Sequence, residues 1–456
     1  MFSFKEYFPY YKRNLKVAIP VVISQAGQIT VMLADNIMVG HLGAMELAAV
    51  SFSGSLYMIG MIFGMGFTLG VTPLVGIAYG ENKFRKAGLL FQNALLVNLF
   101  STVIFMSLLF SVNLFLDRLG QEAAVVDLAR PFYNIMVWSF LPQMIFFSGR
   151  QFAEGIGNTK IAMIITIFCN ILNVVLNYGL IYGKLGLPEK GITGAAIATL
   201  ISRIGMAVLM LFALFRLPIF NRYFIFFRKD GFNKTYLKNL FKVGGPISIQ
   251  TGIEVLTFSL CGIMIGWISG VSLAANQVTQ TMSSLTFMIA LGVSSATTIR
   301  VSHQLGEKNY IGMRKAGFAS MHLALAFMSV SAFCFIVFRN YIPYIFTSDE
   351  AVIAISSQLL VICGIYQVFD GLQVVAMAAL RGMADTKVPM YISFVSYLVV
   401  CLSVGYFLAF VVGLGAVGIW WGYVVGLSLA AIWLSLRFIR KSREILLKHH
   451  ELEIIN

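Results

Sequence analysis

The chain has 456 residues, of which 59% are hydrophobic and only 11% are charged. A soluble domain carries about 25% charged residues, so this composition excludes an ordinary soluble protein. A net charge of +14 is a property that nucleic-acid-binding proteins share, but in a membrane protein it is typical of basic loops that face anionic lipid. The mean hydropathy is +0.84, and apolar runs of about 20 residues alternate with short charged islands. We therefore expect a polytopic membrane protein with lipid around it and no nucleic-acid partner.

Twelve apolar runs predict an all-α integral membrane fold with twelve transmembrane helices. They lie near residues 17–39, 47–75, 88–116, 131–150, 161–183, 192–215, 240–267, 271–297, 315–338, 351–379, 388–411 and 416–436. The first run follows the basic, aromatic start "MFSFKEYFPYYKRNLK", and no convincing small-residue cleavage site follows it. We interpret it as a retained span and not as a signal peptide.

The distribution of basic residues predicts the orientation of the chain. An even number of spans puts both termini on one side of the membrane. Most Lys and Arg residues lie in the termini and the even-numbered loops, above all in the link Arg216–Lys242. By the positive-inside rule, the termini and this link are cytoplasmic. The expected location is the plasma membrane.

The two halves of the sequence repeat each other. The segment Leu47–Glu81 aligns without gaps on Leu273–Glu307, a shift of 226 residues, and the same shift superimposes Pro20 on Pro246. Because six spans separate equivalent positions, the repeats are parallel and related by a pseudo-twofold axis along the membrane normal. This pattern predicts two six-helix bundles around a central cavity, as in many secondary transporters. Repeats alone do not exclude a channel.

Domain boundaries follow from the same pattern. The predicted units are an N-terminal bundle at 1–215, a basic cytoplasmic linker at 216–239, a C-terminal bundle at 240–437 and a cytoplasmic tail at 438–456.

Few acidic residues lie within the spans, and Glu254 lies close to the middle of one. At 1.5 Å per residue it is roughly 15–17 Å from the start of its helix, about half the hydrocarbon thickness. An acid at that depth costs on the order of 3 kcal/mol and normally faces a cavity or a partner. Asp370 lies in the tenth span and Asp35 toward the end of the first. These three acids are the candidate functional residues.

Several motifs identify the chain as similar to the multidrug and toxic compound extrusion (MATE) transporters, and most of all to their bacterial NorM-type branch. The motifs run nearly end to end along the chain: "ADNIMVGHLGAMELAAVS", "YGENKFRKAG", "EGIGNTK", "LNYGLIYG", "GITGAAIATLIS", "HQLGEKNY" and "LRGMADTKVP". The resemblance implies an antiporter that exports cationic, amphipathic drug-like compounds against an inward flow of Na+ or H+.

The resemblance places cation-site acids at Glu254 and Asp370, both in the second half. Two carboxylates in a low-dielectric cavity are not comfortably ionised together without a cation between them. They can share a proton, bind Na+ through their oxygens or meet the positive charge of a drug. The alternative is a pair of neutral acids that only pack helices together. In the repeat register Glu254 corresponds to Gln28 and Asp370 to Gln143, which favours a cation site mainly in the second half.

In the first half, Asn173 and Asn177 are four residues apart and share one helix face. In the family, an aspartate at the position of Asp35 meets polar residues of the fifth span, and Thr199 can join them. The alternative for Asp35 is a solvated acid at the membrane interface. Archaeal and DinF-type relatives carry an acid in place of Asn177, so this chain departs from a proton-driven pattern there.

Two further residues carry open alternatives. Phe287 corresponds to the place where NorM-type relatives put an aromatic ring near the bound cation, and a ring face contributes about 0.5–2 kcal/mol to a cation. Ordinary packing is equally consistent with a phenylalanine there. Arg203, inside the sixth span, either snorkels to the interface or pairs with an acid, and the sequence assigns it no role.

The sequence contains no GxxxxGK[ST], HExxH or GxSxG motif, so we expect a transporter and not an enzyme. The five cysteines all lie in apolar spans without metal-ligand spacing, which predicts buried free thiols. We expect no cofactor beyond a coupling ion.

The favoured hypothesis is a cation-coupled antiporter that exports cationic amphipathic drugs by alternating access and that functions as a monomer. The pattern around Asn177 favours Na+, with H+ able to substitute. A lipid-linked oligosaccharide flippase of the same superfamily is the alternative, although such flippases commonly have an arginine-rich cavity. A channel is a second alternative, which would conduct without coupling to an ion gradient.

Overall fold

The computed structural model describes residues 4–119, 122–224 and 231–455, and this part of the chain is helical without any β-strand. Eleven of its helices are long and apolar enough to cross a membrane. The prediction of an all-α integral membrane fold is confirmed.

The helices up to the central link alternate with short turns. Their bounds are α1 (Phe4–Gly40), α2 (Ala44–Thr68), α3 (Val71–Gly80), α4 (Phe84–Val112), α5 (Ala123–Trp138), α6 (Phe140–Gly155), α7 (Lys160–Tyr182), α8 (Gly191–Arg216) and the short α9 (Asn221–Phe224). Short 3₁₀ turns at Asn113–Arg118 and Pro218–Phe220 follow α4 and α8.

The helices from Lys234 onward are longer on average than those before it. Their bounds are α10 (Lys234–Ile268), α11 (Gly270–Gly306), α12 (Tyr310–Val337), α13 (Glu350–Gly382), α14 (Lys387–Ser393), α15 (Leu402–Tyr406) and α16 (Ala416–Ile455). A 3₁₀ turn at Ile342–Ile345 precedes α13. A π-helical segment at Phe394–Cys401 connects α14 to α15, and a second one at Phe407–Val411 follows α15, so that together they form one membrane span.

The predicted fourth span differs from the others. It lies across α5 and α6, which have 16 residues each and meet at Ser139. Neither helix alone reaches the length of about 20 residues that a bilayer requires. The two together account for the difference between eleven long helices and twelve predicted spans.

The predicted linker and tail are largely helical as well. In the linker at 216–239, residues 225–230 lie outside the described residues, and α10 already begins at Lys234. In the predicted tail at 438–456, α16 continues to Ile455.

Three helices of the second half begin at a residue whose side chain caps the helix. Asn309 caps α12 by accepting a hydrogen bond from the amide of Gly312 at 2.8 Å, and Asp349 caps α13 by accepting from Ala351 at 2.9 Å. Ser269 does the same for α11 through the amide of Ser272 at 3.0 Å. Each cap satisfies an amide that the first helical turn leaves unpaired.

Contacts divide the chain into two compact units. The N-terminal unit is Ile23–Ser248, and the C-terminal unit is Met1–Val22 together with Ile249–Asn456. Both boundaries fall inside a helix, α1 and α10, and they are 226 residues apart, which is the repeat shift. The first part of α1, the leading helix of the first repeat, therefore belongs to the C-terminal unit, and the first part of α10, the leading helix of the second repeat, belongs to the N-terminal unit. The predicted boundaries at 215 and 240 do not include this exchange.

A proline precedes each of these boundaries. Pro20 lies inside α1 and Pro246 inside α10. Pro20 is two residues before the boundary at Val22, and Pro246 is two residues before the boundary at Ser248. A proline inside a helix removes one backbone hydrogen bond and favours a kink. The prolines thus mark the points at which the leading helices pass from one unit to the other.

Both repeats also make the same turns. Asn82 and Lys308 adopt positive φ angles of 56° and 58° at positions related by the 226-residue shift. Gly157 and Ala384, which the "GIGNTK" and "GMADTK" motifs align, have φ angles of 86° and 55°. A positive φ angle is sterically unfavourable for alanine but not for glycine. The backbone repeat is therefore kept even where the residue type does not favour it.

Within the N-terminal unit, small residues allow α2 to approach the start of α10 closely. A Cβ atom at Gly66 would lie 2.7 Å from the Cα of Ser248, and one at Gly70 would lie 2.7 Å from the Cα of Gly244. The hydroxyl of Ser248 donates to the carbonyl of Phe63 at 2.8 Å. In the C-terminal unit, the repeat equivalent Gly292 faces Val22 in the same way. Close backbone approach of this kind is how membrane helices associate without a hydrophobic driving force.

The contact between α2 and α10 generates a prediction about stability. Gly66→Ala should destabilise the protein by about 1–3 kcal/mol, because the added methyl group meets backbone that cannot move aside. Gly54→Ala is the matched control on the same helix, since nothing lies within 4 Å of a Cβ there; it should be neutral or slightly stabilising. Thermal denaturation of the purified variants in detergent measures both. Equal midpoints for the two variants would contradict the close approach.

Candidate functional site

In the C-terminal unit, Glu254 lies in the middle of α10 and is half-buried. Its Oε1 atom accepts hydrogen bonds from the amide nitrogens of Gln250, at 3.1 Å, and Gln373, at 3.5 Å. Gln250 is one turn earlier on the same helix, whereas Gln373 belongs to α13. These two amides provide the partners that a carboxylate at this depth requires.

Asp370 lies on α13 and is 5% exposed. The phenol of Tyr366, one turn earlier, donates to its Oδ2 atom at 3.3 Å. The carboxyl groups of Asp370 and Glu254 lie close enough to interact electrostatically. Both predicted site residues thus lie in the C-terminal unit, Glu254 on α10 and Asp370 on α13, with separate hydrogen-bond partners.

One polar atom beside Glu254 lacks a partner. The Oε1 atom of Gln250 is buried and accepts no hydrogen bond from any described residue, while its Nε2 atom contacts both Glu254 and the sulfur of Met377. A buried amide oxygen without a donor costs free energy. Such an oxygen is suited to a cation.

In the N-terminal unit, the predicted group around Asp35 is also assembled. The amide nitrogen of Asn177 donates to Oδ1 of Asp35 and, at 3.1 Å, to Oδ1 of Asn173. Asn173 in turn donates to the hydroxyl of Thr199 at 3.5 Å. Asp35 is half-buried, whereas Asn173 and Asn177 are buried. Asp35 is therefore in contact with a polar network and is not simply a solvated acid.

This network repeats a feature of the other unit. The Oδ1 atom of Asn177 is buried and accepts no hydrogen bond from the described residues. In both units, then, an amide side chain donates its nitrogen to a carboxylate and leaves its oxygen unpaired.

Arg203 pairs with polar groups inside the N-terminal unit. Its Nη1 atom donates to the hydroxyl of Tyr57 at 2.7 Å and to that of Ser139 at 2.5 Å, and its guanidinium carbon lies 4.9 Å from the centroid of the Tyr57 ring. It also interacts electrostatically with Asp35. Arg203 thus donates to hydroxyl groups within the unit, and among the described residues it forms no ion pair with an acid, so the predicted pairing with an acid is met only by this electrostatic interaction with Asp35.

Phe287 is half-buried on α11 and packs against the apolar core of the C-terminal unit. The neighbouring Thr286 donates to the amide oxygen of Gln367 on α13 at 2.8 Å. The contacts of Phe287 within the unit are those of a packing residue, and its role toward a cation stays a prediction.

No group of three or more His, Cys, Asp or Glu side chains suited to a metal ion occurs in the described part of the chain. The five cysteines are free thiols; Cys334 is half-buried and the other four are buried.

The sequence analysis missed the amide and phenol partners of the two acids in the C-terminal unit. Gln250 and Tyr366 each lie four residues before an acid, so helical spacing alone signals them. Gln373 lies three residues after Asp370 and is equally recognisable. Arg381, two turns beyond Gln373, interacts electrostatically with Glu254, and only the packing of α13 against α10 reveals that.

The comparison with known families agrees with the repeat. The MatE family profile matches residues 20–179 and again 246–407, so the two matches are offset by the shift seen in the fold. The chain belongs to the MATE family.

Curated relatives place it near the NorM proteins. The MATE chain is 31% identical over 404 residues to the probable multidrug resistance protein NorM of Mannheimia succiniciproducens, covering 87% of this chain and 86% of the relative. It is 31% identical over 441 residues to the probable multidrug resistance protein NorM of Rhizobium meliloti, covering 96% and 94%. The predicted resemblance to the NorM-type branch is confirmed.

Solved structures share the fold of this MATE chain. An outward-facing multidrug resistance MATE family transporter of the MOP superfamily matches with a TM-score of 0.88 at 22% identity, covering 96% of each chain. The eukaryotic MATE transporter AtDTX14 matches with a TM-score of 0.87 at 18% identity, covering 96% of this chain and 98% of that one. The arrangement of the two bundles around a central cavity stays a prediction for this chain.

Proposed function

We propose that this MATE protein is an antiporter that exports cationic, amphipathic drugs in exchange for an inward-moving cation. Na+ is the proposed coupling ion, and H+ can replace it. The names of the curated relatives, multidrug resistance proteins NorM, support the export of drugs. The observation that carries the cation coupling is the pair of acids Glu254 and Asp370, which lie in one unit beside the unpaired amide oxygen of Gln250.

Na+ is a hard cation that is bound by oxygen atoms, as are the other hard cations found in proteins. Glu254 and Asp370 supply up to four carboxylate oxygens. Rotation of the Gln250 amide toward the ion would add its free oxygen, because an amide can present either a donor or an acceptor. The proposed Na+ site therefore needs Gln250, which already contacts Glu254, and the Asp370 carboxyl group, which interacts electrostatically with Glu254, to turn toward one ion.

Coupling follows from competition for the same charges. Two carboxylates within an apolar bundle strongly favour one bound cation, since their mutual repulsion and desolvation are otherwise unfavourable. A drug cation and Na+ that compete for these acids exclude each other, so that binding of one lowers the affinity for the other. This mutual exclusion supports exchange and disfavours a channel, which would need no such competition.

The group at Asp35, Asn173, Asn177 and Thr199 is proposed to assist as a second polar site in the N-terminal unit. Its only carboxylate within the described contacts is Asp35, and an amide occupies the position where some relatives carry a second acid. This composition supports an Na+-coupled over a purely proton-coupled mechanism. We place the site second to the Glu254 site because it offers one charge and not two.

The protein is proposed to act as a monomer in the bacterial plasma membrane with both termini in the cytoplasm. The basic character of the termini and of the link after α8 supports this orientation. A lipid-linked oligosaccharide flippase would have to bind pyrophosphate, and the acids at 254 and 370 oppose an anionic substrate.

The coupling ion can be tested in reconstituted vesicles loaded with a fluorescent drug cation. At fixed pH, an imposed inward Na+ gradient should accelerate export, and Glu254→Gln should reduce that acceleration by about tenfold or more, because coupling free energies of this kind correspond to 5–150-fold. Glu350→Gln, which changes an exposed acid at the start of α13, is the control and should keep the response. A pH gradient that drives export while Na+ has no effect would identify the proton as the coupling ion. Saturation of the flux distinguishes the transporter from a channel.

A second prediction tests whether the two acids form one site. Asp370→Asn should impair drug export to a similar extent as Glu254→Gln, and the double variant should be little worse than either single one, because both remove the same bound cation. Transport rates at equal expression measure this. Multiplying defects would show that the two acids act independently.

A third prediction concerns the N-terminal unit. Asp35→Asn should impair export more than Asn177→Ala, because the first removes a charge and the second removes one neutral ligand that water can replace. Resistance of cells that express each variant, compared at equal protein levels, measures the difference. If Asn177→Ala were the more damaging change, the role given to Asp35 would be wrong.

A further inference from the structure

Arg381, in the last turn of α13, lacks a suitable partner. Among the described residues, the hydrogen-bond acceptor for its guanidinium group is the sulfur of Met377, 3.2 Å from Nη2, and its buried Nε atom has none. A thioether is a weak acceptor, and an arginine side chain stays protonated in proteins. Arg381 is half-buried, and a positive charge whose buried Nε atom has no acceptor among the described residues carries a desolvation cost.

A short series of contacts leads from this guanidinium group to Glu254. The sulfur of Met377 contacts Nη2 of Arg381 on one side and Nε2 of Gln250 on the other. The same Gln250 nitrogen donates to Oε1 of Glu254 at 3.1 Å. Because Gln373, Met377 and Arg381 are spaced by four residues, they lie along one face of α13. One layer of side chains therefore separates the arginine from the carboxylate.

In the N-terminal unit, the positions equivalent to Met377 and Arg381 hold a base and an acid. Arg150 and Glu154 form an ion pair along α6, with Nε and Oε1 2.6 Å apart and both side chains buried. The alignment of "GIGNTK" with "GMADTK" superimposes Arg150 on Met377 and Glu154 on Arg381. In the second repeat a methionine replaces the base and an arginine replaces the acid, so Arg381 has no acid one turn earlier on its helix. It interacts electrostatically with Glu254 on α10.

We propose that Arg381 is an internal counter-cation for Glu254, which pairs with the carboxylate when no external cation is bound and withdraws to Met377 when one is. The inference rests on the proposed function, since it assigns to Arg381 a specificity-determining role in that cation site. The movement exchanges a weak sulfur acceptor for a carboxylate. Charge-assisted pairs of this type are the strongest hydrogen bonds available to arginine.

The consequence for transport concerns release of the ion. A bare carboxylate within the bundle is costly, so an ion bound there would leave slowly if nothing replaced its charge. Arg381 supplies that charge and lowers the affinity of Glu254 for the external cation. It thereby sets the concentration range in which the ion binds on one side and dissociates on the other.

The test is a cation titration of the purified full-length protein in Na+-free detergent buffer, read as the shift of its thermal denaturation midpoint. Arg381→Met removes the charge and keeps an unbranched side chain, and it should lower the Na+ concentration of half-maximal effect by about tenfold, the size of a typical coupling between contacting residues. Arg381→Lys should retain most of the parent value. Arg440→Met, which removes a charge that is 78% exposed on α16, should leave the titration unchanged.

The role of Glu254 as the partner of Arg381 is tested in a Glu254→Gln background. There, Arg381→Met should no longer change the Na+ concentration of half-maximal effect. If the parent responds to protons and not to Na+, the same comparison is made with a pH titration and the same shift is expected. An unchanged or increased half-maximal concentration in Arg381→Met, with a parent that responds, overturns the inference.

Failure of the proposed function has a different signature. A parent protein that responds to neither Na+ nor protons contradicts the cation-coupled mechanism. The denaturation midpoints of Glu254→Gln, Arg381→Met and their double variant still report on the pair in that case. Additive shifts would overturn the pairing of Arg381 with Glu254, whereas non-additive shifts would support it.

Discussion

The requirement that every charge within an apolar helix bundle must find a partner organises the interior of this protein. A carboxylate placed there loses its water shell, and the cost is tolerable only when hydrogen bonds or an opposite charge replace that shell. Asp35, Glu254 and Asp370 each meet this requirement through a neutral amide or phenol group. None of the three is joined to a base by an ion pair within the described residues. Their charge thus remains available for a ligand that brings its own positive charge.

Amide side chains make such sites adaptable. Gln250 and Asn177 each donate a nitrogen to a carboxylate and keep a buried oxygen unpaired. In the proposed cation sites, the donor nitrogen would stabilise the acid when no cation is bound, and the acceptor oxygen would turn toward a bound cation. A second carboxylate in place of either amide would bind a cation more tightly, but it would also repel the first acid in the empty site. An exchanger has to release its ion, and the amides are consistent with that need.

The two repeats show how one backbone supports two electrostatic arrangements. The prolines inside the leading helices, the left-handed turns and the close contacts at Gly66 and Gly292 occur at equivalent positions in both. The charged residues do not. In the N-terminal unit, Arg150 and Glu154 neutralise each other along one helix, which contributes structure. In the C-terminal unit, the base Arg381 lies on α13 and the acid Glu254 lies on α10, and the two interact electrostatically across the two helices.

The sequence by itself determined the class of fold, the repeat and the three acids, because apolar length, internal similarity and the cost of a buried charge are all properties that can be read along one chain. It also identified the Asp35 group, since i, i+4 spacing puts Asn173 and Asn177 on one face. Only the tertiary structure decided which unit holds the first part of α1 and α10, and which partners Arg203 and Arg381 meet. Periodicity specifies the face of a helix, whereas the neighbour across that face depends on packing between segments that are distant in sequence.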